Sequence, residues 1–198
     1  MKKNLIIVGV IFVIGLIAYN FFGGFYNKGV VYQEDAKTAW SKVESAYQRR
    51  ADLIPNLVAT VKGYAKHEKE TLEAVIKARA SATQTKIDPT NITPEQMAKF
   101  QQAQQGLGGA LGRLLVSIEK YPELKADKHF LELQSQLEGT ENRIKVERDR
   151  FNEAVNVYNK HIKQFPGNIL AGWFGFKEMV RFQSEKGAET APKVDFNN

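Results

Sequence analysis

Apolar residues recur every three to four positions along a long stretch of this chain without a change of phase. Ala36, Trp40, Val43, Tyr47, Ile54, Val58, Val61, Ala65, Leu72 and Val75 fall on one face, and Arg50, Glu68 and Arg79 share it. Because a helix turns every 3.6 residues, this spacing predicts a long helix with one buried side. Pro55 lies inside the pattern. A proline there lacks the N–H that would bond residue 51 and crowds its carbonyl, at a cost of about 3 kcal/mol unless accommodated. Asp52 is placed to cap a new segment with Pro55 in its first turn. The pattern therefore predicts a kinked helix whose two halves keep a common buried face.

Lys86-Ile87-Asp88-Pro89-Thr90-Asn91 interrupts the periodicity, and Thr93-Pro94-Glu95-Gln96 reads as a fresh start, with Thr93 as cap and Gln96 completing a capping box. Phe100, Leu107, Leu111, Leu114, Leu115 and Ile118 form the next stripe, with Gly106, Gly108, Gly109 and Gly112 among them. Four glycines in a helix, each costing roughly 1 kcal/mol against alanine, predict close helix approach or local mobility. The glutamines of 101–105 read as a solvated face. Asp127 can cap the following helix. Phe130, Leu137, Ile144, Phe151, Tyr158 and Phe165 then recur every seven residues, with Val155 and Ile162 on a second seam. That heptad predicts a helix of about forty residues ended by Pro166-Gly167. The fold class expected is all-α: an N-terminal single transmembrane helix, then an elongated, mostly antiparallel bundle of long helices.

Leu5 to Phe25 is apolar except for Asn20. As a helix these residues span roughly 32 Å, the thickness of a bilayer's hydrocarbon core. Tyr19, Phe21, Phe22, Phe25 and Tyr26 gather at the far end like an interfacial aromatic belt. A cleaved signal peptide fits less well, since no A-x-A-like site follows and the run is long for one. The expected organisation is a short basic N-terminus (1–4), a transmembrane helix (5–26), a helical-bundle domain (27–183) and a disordered tail (184–198). The compact charge of Lys2 and Lys3 favours an N-terminus inside the cell, although Lys28, Lys37 and Lys42 oppose it.

Net charge is +6, half of it carried by Lys2, Lys3 and Lys28, with acids and bases interleaved elsewhere. No basic block with interleaved aromatics exists, which argues against nucleic acid as a partner. Cysteine is absent, so disulfides, thiolate metal sites and a cysteine nucleophile are excluded. The histidines His67, His129 and His161 share no helical spacing, and His67-Glu68 is followed at the zincin position by Thr71. No metal or other cofactor is expected. Gly106-Leu107-Gly108-Gly109 lacks both a preceding strand and a following Gly-Lys-Ser/Thr, so it is no phosphate loop. Polar residues at core positions are the sharper signal: Arg50, Glu68 and Arg79 on the first stripe, and Gln134, Glu141 and Arg148 on the heptad seam. Either they sit at stripe margins and reach water, or they form an internal network that fixes helix register. Trp173, Phe174 and Phe176 either close the end of the bundle or form an amphipathic foot on the bilayer, with Lys177 and Arg181 toward headgroups.

Several blocks carry a resemblance to a known family. Tyr26-Asn27, Ala39-Trp40-Ser41-Lys42-Val43-Glu44, RRADLIPNLVATVKGYAKHE (49–68), Ala78-Arg79-Ala80, Tyr158-Asn159, Phe165-Pro166, Ala171-Gly172 and Gly175-Phe176-Lys177 resemble the bacterial LemA family. The likeness covers nearly the whole chain, and its DLIPNLV block is the most specific part. It implies a single-pass protein of the bacterial inner membrane with a long-helix bundle and no established enzymatic activity. The family's usual description puts the short N-terminus outside the cell, against the charge-based reading. Its members are often encoded near membrane metalloproteases, which implies such a protease as a partner. The expected function is a non-catalytic, membrane-anchored interaction or scaffold module, with a homo-oligomer allowed. The alternatives are a regulator of a membrane protease, or an enzyme whose site forms only with a partner. In that case Arg49, Arg50, Asp52 and Asn56 would gather at the kink.

Overall fold

The computed structural model describes residues 2–65, 67–85 and 87–183. In it the helical periodicity resolves into α1 (Lys2–Tyr64), α2 (Lys69–Gln84), α3 (Pro94–Ile118), α4 (Pro122–Lys125), α5 (Lys128–Lys163) and α6 (Gly167–Phe174). No strand occurs among the described residues. The tail expected to be disordered, 184–198, lies outside them.

The long helices run alternately up and down. α5 lies antiparallel on α1, pairing Trp40 with Phe151, Arg50 with Glu141 and Tyr64 with Asp127. α2 folds back against α1 and pairs with α3. The first helix therefore ends earlier than its periodicity predicts: the chain reverses between α1 and α2, where the Glu68 N–H bonds the Ala65 carbonyl. Val61, Ala65, Leu72 and Val75 face one apolar cluster from both sides of this turn, so the phase continues while the direction does not. At Pro55 the correction runs the other way. α1 is helical throughout, and Asp52 caps no new segment; its carboxylate accepts a bond from Gln48 one turn earlier.

Two apolar clusters are stacked along the bundle. The distal one joins Ile54, Leu57 and Val61 of α1 to Leu72 and Val75 of α2, Leu107 and Leu114 of α3, and Phe130 of α5. The other lies nearer the apolar N-terminal stretch and joins Trp40, Tyr47, Phe100, Phe151 and Tyr158. There α2 has run out and α3 contributes only its first turns, through Met97 and Phe100, and the segment after α6 completes the cluster. Asn159 grips it by both backbone groups of Met179 (2.8 and 3.0 Å), and Asn152 grips Phe182 in the same way (3.2 and 2.8 Å). Seven helical residues rise about 10.5 Å and three extended residues about 10 Å, so the asparagine spacing matches the two grips. Met179 and Phe182 are thereby held in the core.

Thr93 and Gln96 form the expected capping box (3.2 and 2.9 Å). Asp127 caps α5 as expected, accepting from the Phe130 N–H at 2.9 Å and from the Tyr64 hydroxyl at 2.9 Å. α5 has 36 residues, and Phe165, expected on its seam, is 81 % exposed beyond its end. Of the two readings of the α3 glycines, close approach and local mobility, the first is not met: a Cβ on Gly106, Gly108, Gly109 or Gly112 would meet nothing within 4 Å.

The Phe130 N–H, and secondarily the Tyr64 hydroxyl, hold the Asp127 carboxyl below its usual range. A carboxyl with a depressed folded pKa contributes stability in full above its unfolded value, near 3.9, and loses it as pH falls through the folded value. The melting temperature of the native chain is expected to fall more steeply than that of Asp127→Asn between about pH 4 and pH 2. Thermal melts followed by circular dichroism check this, and parallel curves would contradict it.

Candidate functional site

A polar layer separates the two apolar clusters. Arg50 follows Tyr47 of one cluster and precedes Ile54 of the other on α1; Gln104 stands likewise between Phe100 and Leu107 on α3. The Arg50 guanidinium, in a residue only 3 % exposed, donates from Nη1 to Glu141 Oε2 at 2.7 Å. From Nη2 it donates to Gln104 Oε1 at 2.7 Å and to the Gln104 carbonyl at 3.3 Å. Gln104 Nε2 donates in turn to the Ala82 carbonyl at 3.0 Å. Ala82 lies in the last turn of α2, where a helix leaves its carbonyls without internal donors. One arginine thus ties α1, α3 and α5 directly and α2 through a glutamine. Its Nε is buried with no hydrogen-bond partner, and its guanidinium lies 5.3 Å from the centre of the Tyr47 ring. Burial pushes the Tyr47 phenol above its usual range, against the opposing pull of Arg148 and Arg50.

One turn further along α1, Pro55 has its own accommodation. Proline cannot donate to the carbonyl four residues back. The Ala51 carbonyl freed in this way accepts from Arg79 Nε at 2.7 Å. Ala51 is buried, so water is a poor substitute. Arg79→Met is therefore expected to cost about 1–3 kcal/mol, the penalty of an unmade buried bond. In a Pro55→Ala background, where residue 55 regains its N–H, the same change should cost much less. Urea denaturation of the four proteins gives this cycle, and equal costs in both backgrounds would refute it.

The remaining residues singled out by the sequence are dispersed. Arg49, Asp52, Pro55 and Asn56 are exposed on α1, so Arg49, Arg50, Asp52 and Asn56 do not converge: Arg50 points inward alone. Glu68 accepts from the Tyr121 hydroxyl (3.2 Å) and the Thr71 hydroxyl (3.4 Å) beside the α1–α2 turn. The Arg148 guanidinium lies 4.7 Å from the Phe182 ring centre. Trp40 packs against Phe100, Phe151 and Phe182, its Nε1 buried and without a partner. Phe176 is half-buried against Gly29, where any Cβ would collide with its ring. Trp173 is 73 % exposed and stacks on Phe22.

Sequence reasoning missed three residues here. The run 101–105 groups Gln104 with the solvated glutamines, but it is buried. Its phase, between Phe100 and Leu107, was the available signal. Glu147 is 1 % exposed; its Oε1 takes Arg143 at 2.7 Å and Arg150 at 2.9 Å, while its Oε2 is buried without a partner. Asn159, within the Tyr158-Asn159 pair, is buried as well, and its grip on Met179 accounts for it.

Two open grooves flank the arginine layer. One, of about 1560 Å³, is lined by Ser45, Gln48 and Asp52 of α1, Thr83 of α2, and Gln136 and Arg143 of α5. The other, of about 610 Å³, exposes Gln101, Gln105 and Gly108 of α3 opposite Glu141 and Arg148 of α5. No group of three or more metal-binding side chains occurs among the described residues.

Residues 39–196, which hold this layer and both grooves, match the LemA family. The chain belongs to the LemA family. Among its relatives are magnetosome protein MamQ 2 of Paramagnetospirillum magneticum and magnetosome protein MamQ of Magnetospirillum gryphiswaldense. Each is 29 % identical over 182 residues, covering 83 % of this chain and 67 % of the relative. Protein LemA of Metamycoplasma hominis is 24 % identical over 154 residues, covering 78 % of this chain and 67 % of its own length. In this LemA-family chain, the DLIPNLV block and the Ala78-Arg79-Ala80 block meet physically, through the Ala51 carbonyl that Pro55 releases.

Proposed function

We propose that this LemA-family chain is a non-catalytic, membrane-anchored scaffold that presents its helical grooves to partner proteins. The observation that carries the proposal is the continuity of α1. Its first part is apolar, exposed from the bundle and long enough to cross a membrane, and the same helix runs without a break into the arginine layer. Residues 5–26 form the membrane span and 27–183 the bundle. Within the span, Asn20 donates its side-chain amide to the Leu16 carbonyl at 2.8 Å, which reduces the cost of placing it in hydrocarbon. A rigid helix thus holds the grooves at a fixed height above the lipid. Arg50 directs Nη1 and Nη2 to holding helices together and offers no activated group.

The test is a photo-crosslinking residue at Gln48, in the larger groove, or at Gln105, in the smaller, with exposed Lys145 of α5 as control, in native membranes. A discrete adduct at a groove position that is absent at the control is expected. Identical patterns at all three positions would remove the groove as a recognition surface. A membrane metalloprotease in the adduct would fix the partner class. Because the chain lacks cysteine, a single one at Glu119, challenged with an impermeant thiol reagent on intact cells, reports the side on which the bundle lies.

A further inference from the structure

We infer that α6 and Phe165 ahead of it are a foot seated in the headgroup region of the same phospholipid bilayer that α1 crosses. The inference rests on the membrane-anchor reading and adds a second contact to it. α6 buries Gly167, Leu170 and Ala171 and leaves Ile169 and Trp173, one turn apart, 50 % and 73 % exposed. Phe165, just ahead of it, is exposed as well. An exposed tryptophan, phenylalanine and isoleucine around an eight-residue helix have no function in the bundle's own core.

Their height relative to the span decides what covers them. Gly167 packs so closely on Phe25 that a Cβ there would lie 2.8 Å from the ring, and Trp173 stacks on Phe22 with ring centroids 6.3 Å apart. Phe174 stacks on Phe25 at 6.2 Å and packs on Tyr26 at 5.2 Å. The His161 ring, 4.4 Å from that of Phe25, also bonds the Phe25 carbonyl and holds the end of α5 at the same level. Phe22 lies three residues, or about 4.5 Å, inside the apolar run that ends at Phe25. A bilayer that accommodates the whole run must therefore reach Trp173, which stands beside the span at the depth where aromatic belts form.

Charge agrees with that placement. Residues 19–33 and 160–177 contain Lys28, Lys160, Lys163 and Lys177 and no acid. Lys28, Lys160 and Lys177 are exposed, and Lys163 pairs with Glu178. A basic rim around an exposed apolar patch is the arrangement by which short amphipathic segments lie in the lipid interface. The foot restrains the bundle from swinging about α1 and sets which faces of the grooves look along the membrane.

The full chain, reconstituted in vesicles of phosphatidylcholine and phosphatidylglycerol, tests this through its own fluorescence. Subtracting the emission of Trp173→Phe from that of the native chain isolates Trp173 and leaves the buried Trp40 untouched. The Trp173 component is expected to lose more intensity to a nitroxide at the headgroup end of the acyl chain than to aqueous iodide. Stronger quenching by iodide would overturn the foot, and so would protection from both quenchers, which would mean that protein covers the site. Phe12→Trp, made in the Trp173→Phe chain, reports on the span separately. If a nitroxide near the chain terminus quenches residue 12 while Trp173 answers only to iodide, the foot alone fails. If residue 12 is not quenched either, the anchor fails with it.

Discussion

Replacing Arg50 with methionine is expected to lower the unfolding free energy by about 2–4 kcal/mol, the largest loss from any single substitution in the polar layer. Three effects compete. Removing a buried guanidinium relieves the desolvation of a charge whose Nε already lacks a partner, which favours the variant. Against that, Gln104 Oε1 loses its donor in a buried position, a penalty of about 1–3 kcal/mol, and the bond to Glu141 disappears. Methionine also fills less of the space between Tyr47 and Gln104. The Glu141 side chain is 61 % exposed, so water can take over its vacated oxygen, and the carboxylate adds little to the cost. For the same reason Glu141→Ala should cost only about 1–2 kcal/mol, since water can enter to solvate Nη1. The two variants and their double form a cycle whose coupling reports the ion pair alone. Urea unfolding of the detergent-solubilised chain measures all three. A loss below about 1 kcal/mol for Arg50→Met would mean that the helices meet by apolar packing alone and the layer is incidental.

Much of this fold was legible because helical periodicity and cap chemistry act locally. Thr93, Gln96 and Asp127 mark helix starts by bonds made within three residues, and those bonds form. The apolar stretch from Leu5 to Phe25 was legible from composition. What could not be read was direction. Val61, Ala65, Leu72 and Val75 keep one phase across a reversal, because a helical hairpin folded on a single core faces that core from both arms. The partners of the polar residues were hidden for a related reason. Arg50 and Glu141 each break an apolar stripe, which the sequence reveals, but their meeting with Gln104 depends on three helices aligning in register. Arg79 was visible as a polar intruder and Pro55 as a costly one; that each accounts for the other emerges only once α2 folds back. The strap gripped by Asn152 and Asn159 left no periodic signal, since an extended segment held by side chains satisfies its backbone without forming a regular element.

Converting Gly106, Gly108, Gly109 and Gly112 together to alanine is expected to stabilise the bundle by about 3–4 kcal/mol, since each helix-interior glycine costs roughly 1 kcal/mol against alanine. Close helix approach, one of the two readings these glycines allow in the sequence, would reverse the sign, because a methyl group would break such contacts. Here all four are exposed, and a Cβ at each would meet nothing within 4 Å. The apolar stripe of α3 is carried by Leu107, Ala110, Leu111 and Leu114, which the substitutions leave alone. Alanine therefore removes backbone freedom from the unfolded chain and adds no collision to the folded one. For a chain of this length the gain corresponds to a rise in melting temperature of roughly 10 °C. Thermal melts of the quadruple variant read it directly, and a rise equivalent to less than about 1 kcal/mol would show that α3 makes contacts with a second copy or with lipid that alanine spoils. If the gain appears, groove crosslinking at Gln105 in the same variant becomes informative. Gly108 lines the smaller groove beside Gln105. A stabilised chain that no longer captures its partner there would show that the glycines keep α3 open to a partner at the expense of the helix's own stability.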